Sequence, residues 1–469
     1  MIWSRVLICA TLPALLAACT DELSAPGVHE FHTKLYPYEV TYDAAVYRQR
    51  RDDLVQRIPS GSLVLVTTNN VYLRNGDVNY DFRPSSTFYY LTGFEEPNAV
   101  AVIRGKAGAP ASSQLVMFVE ERSGTSAQWL GPVYGPEGAI AYFGADSAYG
   151  TASLAGWLQK SLPLLTVGGV YANLDDNEQT RAVFTQAGGA AYTVHDVDSC
   201  VDAMRIIKDH LELKLLQRAI DVSVQAFTEG IRSVAPLRYE YEVESVFDLV
   251  LRMNGCPRTA FTTIVASGPN ITTIHYTGNS RQMLTGDLVM IDFGAEYGYY
   301  AGDVTRTVPV SGTFTPSQAA VYDIVSASLD AVLAGAKPGV TFEYLSGRNV
   351  DILIEGLLQK GVITGTKSAI ISSNQYRLYI PASLGHSIGL DVHDPWPRSS
   401  SNERILRENM VLAIEPHLYL GSGDLTVSPA YRGVCARIEE DIRITSTGCE
   451  ILTAQLPRKR AEIEAMTKK

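Results

Sequence analysis

Residues Gly286 to Val310 read GDLVMIDFGAEYGYYAGDVTRTVPV, and no other stretch constrains the chain as much. Apolar residues run into Asp292, Gly298 sits midway, and β-type residues follow Asp303. This pattern predicts a β-hairpin turning near Tyr297 and Gly298, with Asp292 and Asp303 paired across it. Residues directly opposite on a hairpin share a face with β-carbons roughly 5 Å apart, and like charges so placed repel. Something positive must sit between them: an arginine, a proton shared by the pair, or a metal cation.

The chain around this hairpin is long enough for two domains, with 469 residues, 46% of them apolar and 19% charged. That composition excludes disordered and fibrous classes. A formal net charge of −11 and the lack of a long Lys/Arg run argue against a nucleic-acid partner. The cluster Arg458, Lys459, Arg460 reads as the solvated face of a terminal helix.

The first 19 residues, MIWSRVLICATLPALLAAC, carry Arg5, an apolar run and small residues before Cys19. This is the pattern of a secretory signal, too short for a resident transmembrane helix. Leu16, Ala17, Ala18 and Cys19 resemble the lipobox of bacterial lipoproteins, in which the cysteine becomes the lipidated first residue; the alternative is a plain signal peptide with an incidental cysteine. Thr20 suits sorting to the outer membrane, so the expectation is an exported chain, lipid-anchored on the periplasmic side. Residues 20–38 are polar and read as a tether. Cys200, Cys256, Cys435 and Cys449 remain; their spacing makes neither a disulfide framework nor a zinc site, and most should be small buried residues.

From Tyr42 to Arg57 the apolar spacing is helical, and the strand-like SLVLVTTN follows at Ser62 to Asn69. Strand-like runs at 98–104 and 114–119, with helical stretches at 137–143 and 151–161, predict an α/β domain over 39–198. One long helix is expected from Cys200 to about Val234, stopped by Ala235 and Pro236, and a second from Glu240 to Asn254. Strands at 260–267 and 272–277 precede the hairpin. Helices near 316–334 and 341–360 and strands at 410–420 and 434–444 complete an α+β domain over 199–469.

Several metal-capable side chains lie on otherwise apolar strands here. Glu415 lies in MVLAIEPHLYL and Glu439 in VCARIEEDI, where a carboxylate is costly unless it is paired or metal-bound. His386 lies in SLGHSIGLDVHD, which also offers His393. Each has an ordinary ion-paired reading when taken singly, and Arg306 and Arg437 lie close to two of the acids. Spacing alone does not assemble them.

The words around these residues do. IDFGAEYGYYAGDVTRT, LGHSIGLDVHD, VLAIEP and ARIEEDI occur in an order that resembles the pita-bread metallopeptidases. RNGDVNYDFRPSSTFYYLTGFEEPNAV at 74–100 resembles the creatinase-like amino-terminal domain of the aminopeptidase P and prolidase group, and the likeness spans roughly residues 40 to 465. The resemblance implies a creatinase-like α/β amino-terminal domain followed by a pita-bread catalytic domain. It also implies five metal ligands, Asp292, Asp303, His386, Glu415 and Glu439, holding two divalent ions. Manganese is the first expectation, with zinc and cobalt as alternatives.

In the family pattern Asp303 and Glu439 bridge the ions, Asp292 completes one, and His386 with Glu415 completes the other. Glu415 is then the proton shuttle, His275 in HYTGN stabilises the tetrahedral intermediate, and His393 contacts the substrate carbonyl. Arg437 orients Glu439, and Tyr419 and Asp77 match substrate-side positions more loosely. The implied activity is hydrolysis of the amino-terminal Xaa-Pro bond of peptides, with a homo-oligomer (dimer or tetramer) as the implied assembly. The alternatives are an Xaa-Pro dipeptidase (prolidase), a creatinase-like amidinohydrolase that dispenses with metal, and a peptide- or partner-binding homologue that has lost activity.

Three positions depart from the family pattern. Ala382 stands where most relatives carry a second histidine, EPHLY places His417 where EPGLY is usual, and Val133 replaces an arginine in a segment that bears on contacts between subunits. The expectation tested below is that the His417 ring lies by the metal site and fills the space left at Ala382; the alternative is an ordinary edge-strand histidine.

Overall fold

The computed structural model describes residues 43–467, apart from 122–127, 129, 130, 132, 166, 167, 175, 176 and 397–403. The signal-like segment with Cys19 and the tether lie outside the described residues. Among the described residues no helix is long and apolar enough to cross a membrane.

The run LVLVT becomes the strand Leu63–Thr67, buried along its whole length. Val64 and Val66 pack into the larger apolar core, while Leu63 and Leu65 pack with Leu154, Leu158 and Leu162 on the other face. An unbroken apolar run is what a strand covered on both sides requires. It sits inside a mixed six-stranded sheet ordered Ser147–Gly150, Ala109–Val119, Val100–Lys106, Leu63–Thr67, Val170–Ala172, Val194–Asp196. The larger core runs on without a break into the second half of the chain, from Val46 to Ile463.

That second half is α+β. Its helices pack around short antiparallel sheets, of which two position the site. One pairs Ile264–Ser267, Leu288–Phe293 and Val304–Pro309; the other pairs Gly385–Ser387, Val411–Ile414, Glu440–Ile444 and Cys449–Ile451.

Four local expectations are corrected. The single helix over 200–234 is two, Asp198–Arg205 and His210–Ser233. Asp209 breaks it by forming a capping box with Glu212, and the Asp-x-x-Glu signal is visible in DHLE. Residues 272–277 form no strand. There the Asn279 side chain takes the place of a ladder, donating to the Thr263 carbonyl and accepting from the Val265 N–H, so the segment bearing His275 stays a loop.

The hairpin forms, with Gly298 and Tyr299 both at positive φ between the paired residues Tyr297 and Tyr300, as a type I′ turn demands. Its register places Asp292 opposite Thr305, so Asp303 is a diagonal neighbour and not a direct partner. Gly294 pinches the two strands: a Cβ there would lie 1.7 Å from the Gly302 carbonyl oxygen.

Finally, Arg458, Lys459 and Arg460 are not simply solvated. They pair with Asp330 and Asp323 on the helix Pro316–Gly335 and tie the terminal helix Arg460–Thr467 to it. The four described cysteines are free; Cys256 and Cys435 are buried, Cys200 and Cys449 half-buried.

Candidate metal centre and active site

Asp292, Asp303, His386, Glu415 and Glu439 open onto one cavity of about 500 Å³. Each arrives from a different turn of strand or loop. Asp292 is the next-to-last residue of the inner hairpin strand and Asp303 precedes the outer one. His386 lies mid-strand in Gly385–Ser387, and Glu415 directly follows Val411–Ile414. Glu439 sits between Cys435–Arg437 and Glu440–Ile444, with its N–H donating to the Thr305 carbonyl at 3.1 Å.

Ligand atoms of Asp303, His386 and Glu439 lie within 4.8 Å of one another. His386 Nε2 is 3.3 Å from Asp303 Oδ2 and 3.9 Å from Glu415 Oε1. His386 Nδ1 is 3.1 Å from the Ser387 carbonyl oxygen, which only accepts, so Nδ1 carries the proton and Nε2 presents its lone pair to the carboxylates. Burial, with His393 beside it, pushes the His386 imidazole down to about 4.

The carboxylates are strained in the opposite sense. Burial and the neighbouring acids Glu439 and Asp292 hold Asp303 well above the ordinary range, and burial with Glu415 and Asp292 does the same to Glu439. Burial raises Glu415 to about 7 despite Arg437. Asp292 Oδ1 is buried with no hydrogen-bond partner among the described residues. Four carboxylates therefore face one guanidinium, and a neutral imidazole points its lone pair at them. Hard divalent cations satisfy this oxygen-rich donor set, and the residues present fit such a site.

Arg437 answers the question of a positive partner in part. Its Nη2 pairs with Asp292 Oδ2, its Nη1 lies 3.8 Å from Glu415 Oε2, and its Nε donates to Thr305 Oγ1 at 3.0 Å. Thr305 Oγ1 in turn donates to Glu439 Oε2 at 2.7 Å. Arg437 thus holds Asp292 directly and reaches Glu439 only through Thr305, which corrects the direct role expected from the sequence. Arg306 is not part of the site; it pairs with Glu440 in the core.

His275 and His393 are exposed residues on the cavity wall, and the His393 ring packs edge-on against His386 at 4.4 Å. Tyr419 is not on the substrate side: it is buried behind Arg437, accepting from Nη1 at 3.3 Å. Asp77 is exposed in the ribbon Leu73–Asn75/Val78–Asn79 and does not line this cavity.

His417 does lie beside Ala382. Its Nε2 accepts the Ala382 N–H at 3.3 Å and its Nδ1 donates to the Glu415 carbonyl at 2.9 Å. With both nitrogens bound to backbone, and with no face on the cavity, the ring fills space without supplying a reactive imidazole. Val133 is half-buried.

Sequence reasoning missed Thr305 and Asp441. Asp441 is fully buried and accepts the Asp303 N–H at 3.0 Å, so it orients a ligand from behind. The alternation D-V-T was the available signal for Thr305, since it puts Thr305 on the face of Asp303.

Comparison with known proteins agrees with this geometry. Residues 214–446 match the model of metallopeptidase family M24, and residues 47–166 match the aminopeptidase P amino-terminal domain. The chain is 36% identical to the Xaa-Pro aminopeptidase of Escherichia coli strain K12 over 429 residues, covering 90% of this chain and 97% of that relative. The chain belongs to metallopeptidase family M24.

As an M24 peptidase it also superposes on solved structures. Proline aminopeptidase P II from Yersinia pestis has a TM-score of 0.85 at 34% identity, covering 91% of this chain and 99% of that one. Zinc-substituted E. coli aminopeptidase P in complex with product gives the same score and identity, covering 91% and 98%. This M24 enzyme therefore has the aminopeptidase P two-part architecture and a divalent-metal centre.

Proposed function

We infer that this M24 peptidase is an Xaa-Pro aminopeptidase that removes an amino-terminal residue ahead of proline. One observation carries the reading: four carboxylates and an imidazole converge on a single cavity in a chain matching a curated Xaa-Pro aminopeptidase over 97% of its length. Asp292, Asp303, His386, Glu415 and Glu439 would together hold two divalent ions. When bound, the ions supply a water acidified toward neutral pH as nucleophile, and positive charge for the developing oxyanion. Manganese suits the oxygen-rich set best.

The protein's own side chains do the rest. Glu415, on the cavity wall, takes the proton from the attacking water and returns it to the leaving proline nitrogen. His275 and His393, on the cavity wall, hold the scissile carbonyl and the tetrahedral intermediate. Arg437 holds Asp292 in place through their ion pair. The imide bond before proline lacks an N–H, which is why a dedicated site is needed.

Manganese-dependent release of arginine from Arg-Pro-Pro tests the reading. Cleavage of Gly-Pro alone would instead identify a dipeptidase, and no turnover of either peptide with metal bound would identify a peptide-binding protein. The proposal includes export, a lipid on Cys19 and self-association as a dimer or tetramer, supported by the lipobox-like Leu16-Ala17-Ala18-Cys19 and by family resemblance. Cys19→Ser should then release the protein from the membrane fraction, and light scattering reports the assembly.

A further inference from the structure

Three of the five metal ligands sit on two separate supports. The hairpin carries Asp292 and Asp303, and the segment 385–394 carries His386 and His393. One arginine from the amino-terminal half of the chain bonds to both. Arg83 Nε donates to Glu296 Oε2 at 2.8 Å, and Glu296 lies on the hairpin between Asp292 and Asp303. Its Nη2 donates to the Tyr299 carbonyl at the hairpin tip at 3.3 Å and to the Leu390 carbonyl at 2.5 Å. Leu390 lies between His386 and His393.

The arginine is itself braced. Its Nη1 donates to Ser86 Oγ at 3.2 Å, and Ser86 donates to Asp391 Oδ1 at 2.6 Å. The Tyr299 ring packs against Tyr89 at 4.6 Å and its hydroxyl donates to Glu95, so the hairpin tip is seated on residues 82–95. On the far side, Arg205 holds Asp391 and Asp394, both at 2.6 Å. The guanidinium is a rigid planar fork; three of its acceptors lie on the two supports and thus define their separation.

We propose that Arg83 is a positioning residue for the metal centre, setting from the amino-terminal domain the distance between the hairpin with Asp292 and Asp303 and the segment with His386 and His393. The proposal rests on the ligand assignment above and not on the identity of the peptide. Outer partners of metal ligands typically govern metal affinity and activity by about 10–100-fold. A lysine at 83 keeps the charge and loses the fork.

The test is calorimetric titration of chelator-stripped wild type, Arg83→Lys and Arg83→Met with Mn²⁺, alongside thermal unfolding of the same metal-free proteins and steady-state kinetics. Both variants should bind Mn²⁺ at least about tenfold more weakly, with metal-free unfolding midpoints near wild type and with kcat falling more than KM rises. If Arg83→Met fails to fold, Arg83→Lys and Arg83→Gln carry the same comparison. Mn²⁺ affinity within about twofold of wild type in folded variants overturns the proposal, as does a rise in KM alone, which would mark Arg83 as a substrate contact. A wild type that binds no Mn²⁺ overturns the ligand assignment and this proposal together. A wild type that binds Mn²⁺ but spares Xaa-Pro peptides overturns the substrate reading only.

Discussion

Arg437 and Asp292, 145 residues apart in sequence, form a buried ion pair at the floor of the cavity. The guanidinium satisfies one oxygen of Asp292, and the other has no partner among the described residues. Removing one member of a buried pair typically costs about 3–5 kcal/mol. Arg437→Ala should therefore lower kcat/KM by at least about 100-fold and weaken binding of the ion that Asp292 holds. Kinetics with Mn²⁺ titration checks this, and activity close to wild type would contradict it.

Thr305→Val keeps the shape of the side chain and deletes the relay from Arg437 to Glu439. A loss of about 10–100-fold in metal affinity or kcat is expected, with the fold intact by circular dichroism. An unchanged affinity would show that Glu439 needs no orienting bond.

His417→Ala leaves the Ala382 N–H and the Glu415 carbonyl without their side-chain partner. The expected cost is about 1–3 kcal/mol in urea unfolding. Because neither nitrogen faces the cavity, the acid limb of the kcat/KM pH profile should stay where it is in the wild type. Loss of that limb would show that His417 titrates in catalysis.

Glu212 is fully buried, and burial raises it from 4.5 to about 7 despite Arg50. The folded state then binds a proton that the unfolded chain has released, so stability falls as pH rises from 4.5 to about 7. Below that window the penalty is absent; above it, fully present. Glu212→Gln removes the charge; its single amide oxygen can still accept the Asp209 N–H, and its NH2 can donate to the Tyr300 hydroxyl, which accepts as well as donates. Its stability relative to wild type should rise across the window, read as thermal midpoints at pH 4.5, 6 and 8. A parallel pair of curves would refute the assignment.

Chelation should abolish turnover and lower the thermal midpoint. Ligands bound to the folded state alone stabilise it by about 2.7 kcal/mol at 100 times Kd. Restoring Mn²⁺ should recover both signals, and a midpoint indifferent to metal would argue against the centre.

Much of the site was legible before folding because ligand chemistry is local. A carboxylate on an apolar strand announces a partner wherever it lies, and the words around Asp292, Asp303, His386, Glu415 and Glu439 kept their order. The strand Leu63–Thr67 and the hairpin were equally plain, since an unbroken apolar run and a Gly at a tight turn each answer to a short-range rule. The capping box at Asp209 was also present in the residues, hidden only by the apolar face that runs across it.

By itself, then, the sequence determined which residue types make the chemistry and on which strands they lie, because strand period and ligand type are properties of neighbouring residues. Only the tertiary structure decided their partners. It turned Tyr419 inward behind Arg437, left Asp77 on an exposed ribbon, offset Asp303 from Asp292 by one diagonal step, and brought Arg83 to Glu296 across 213 residues. Those pairings depend on how distant segments close around one core, where each buried charge must find a partner, and no local pattern encodes that closure.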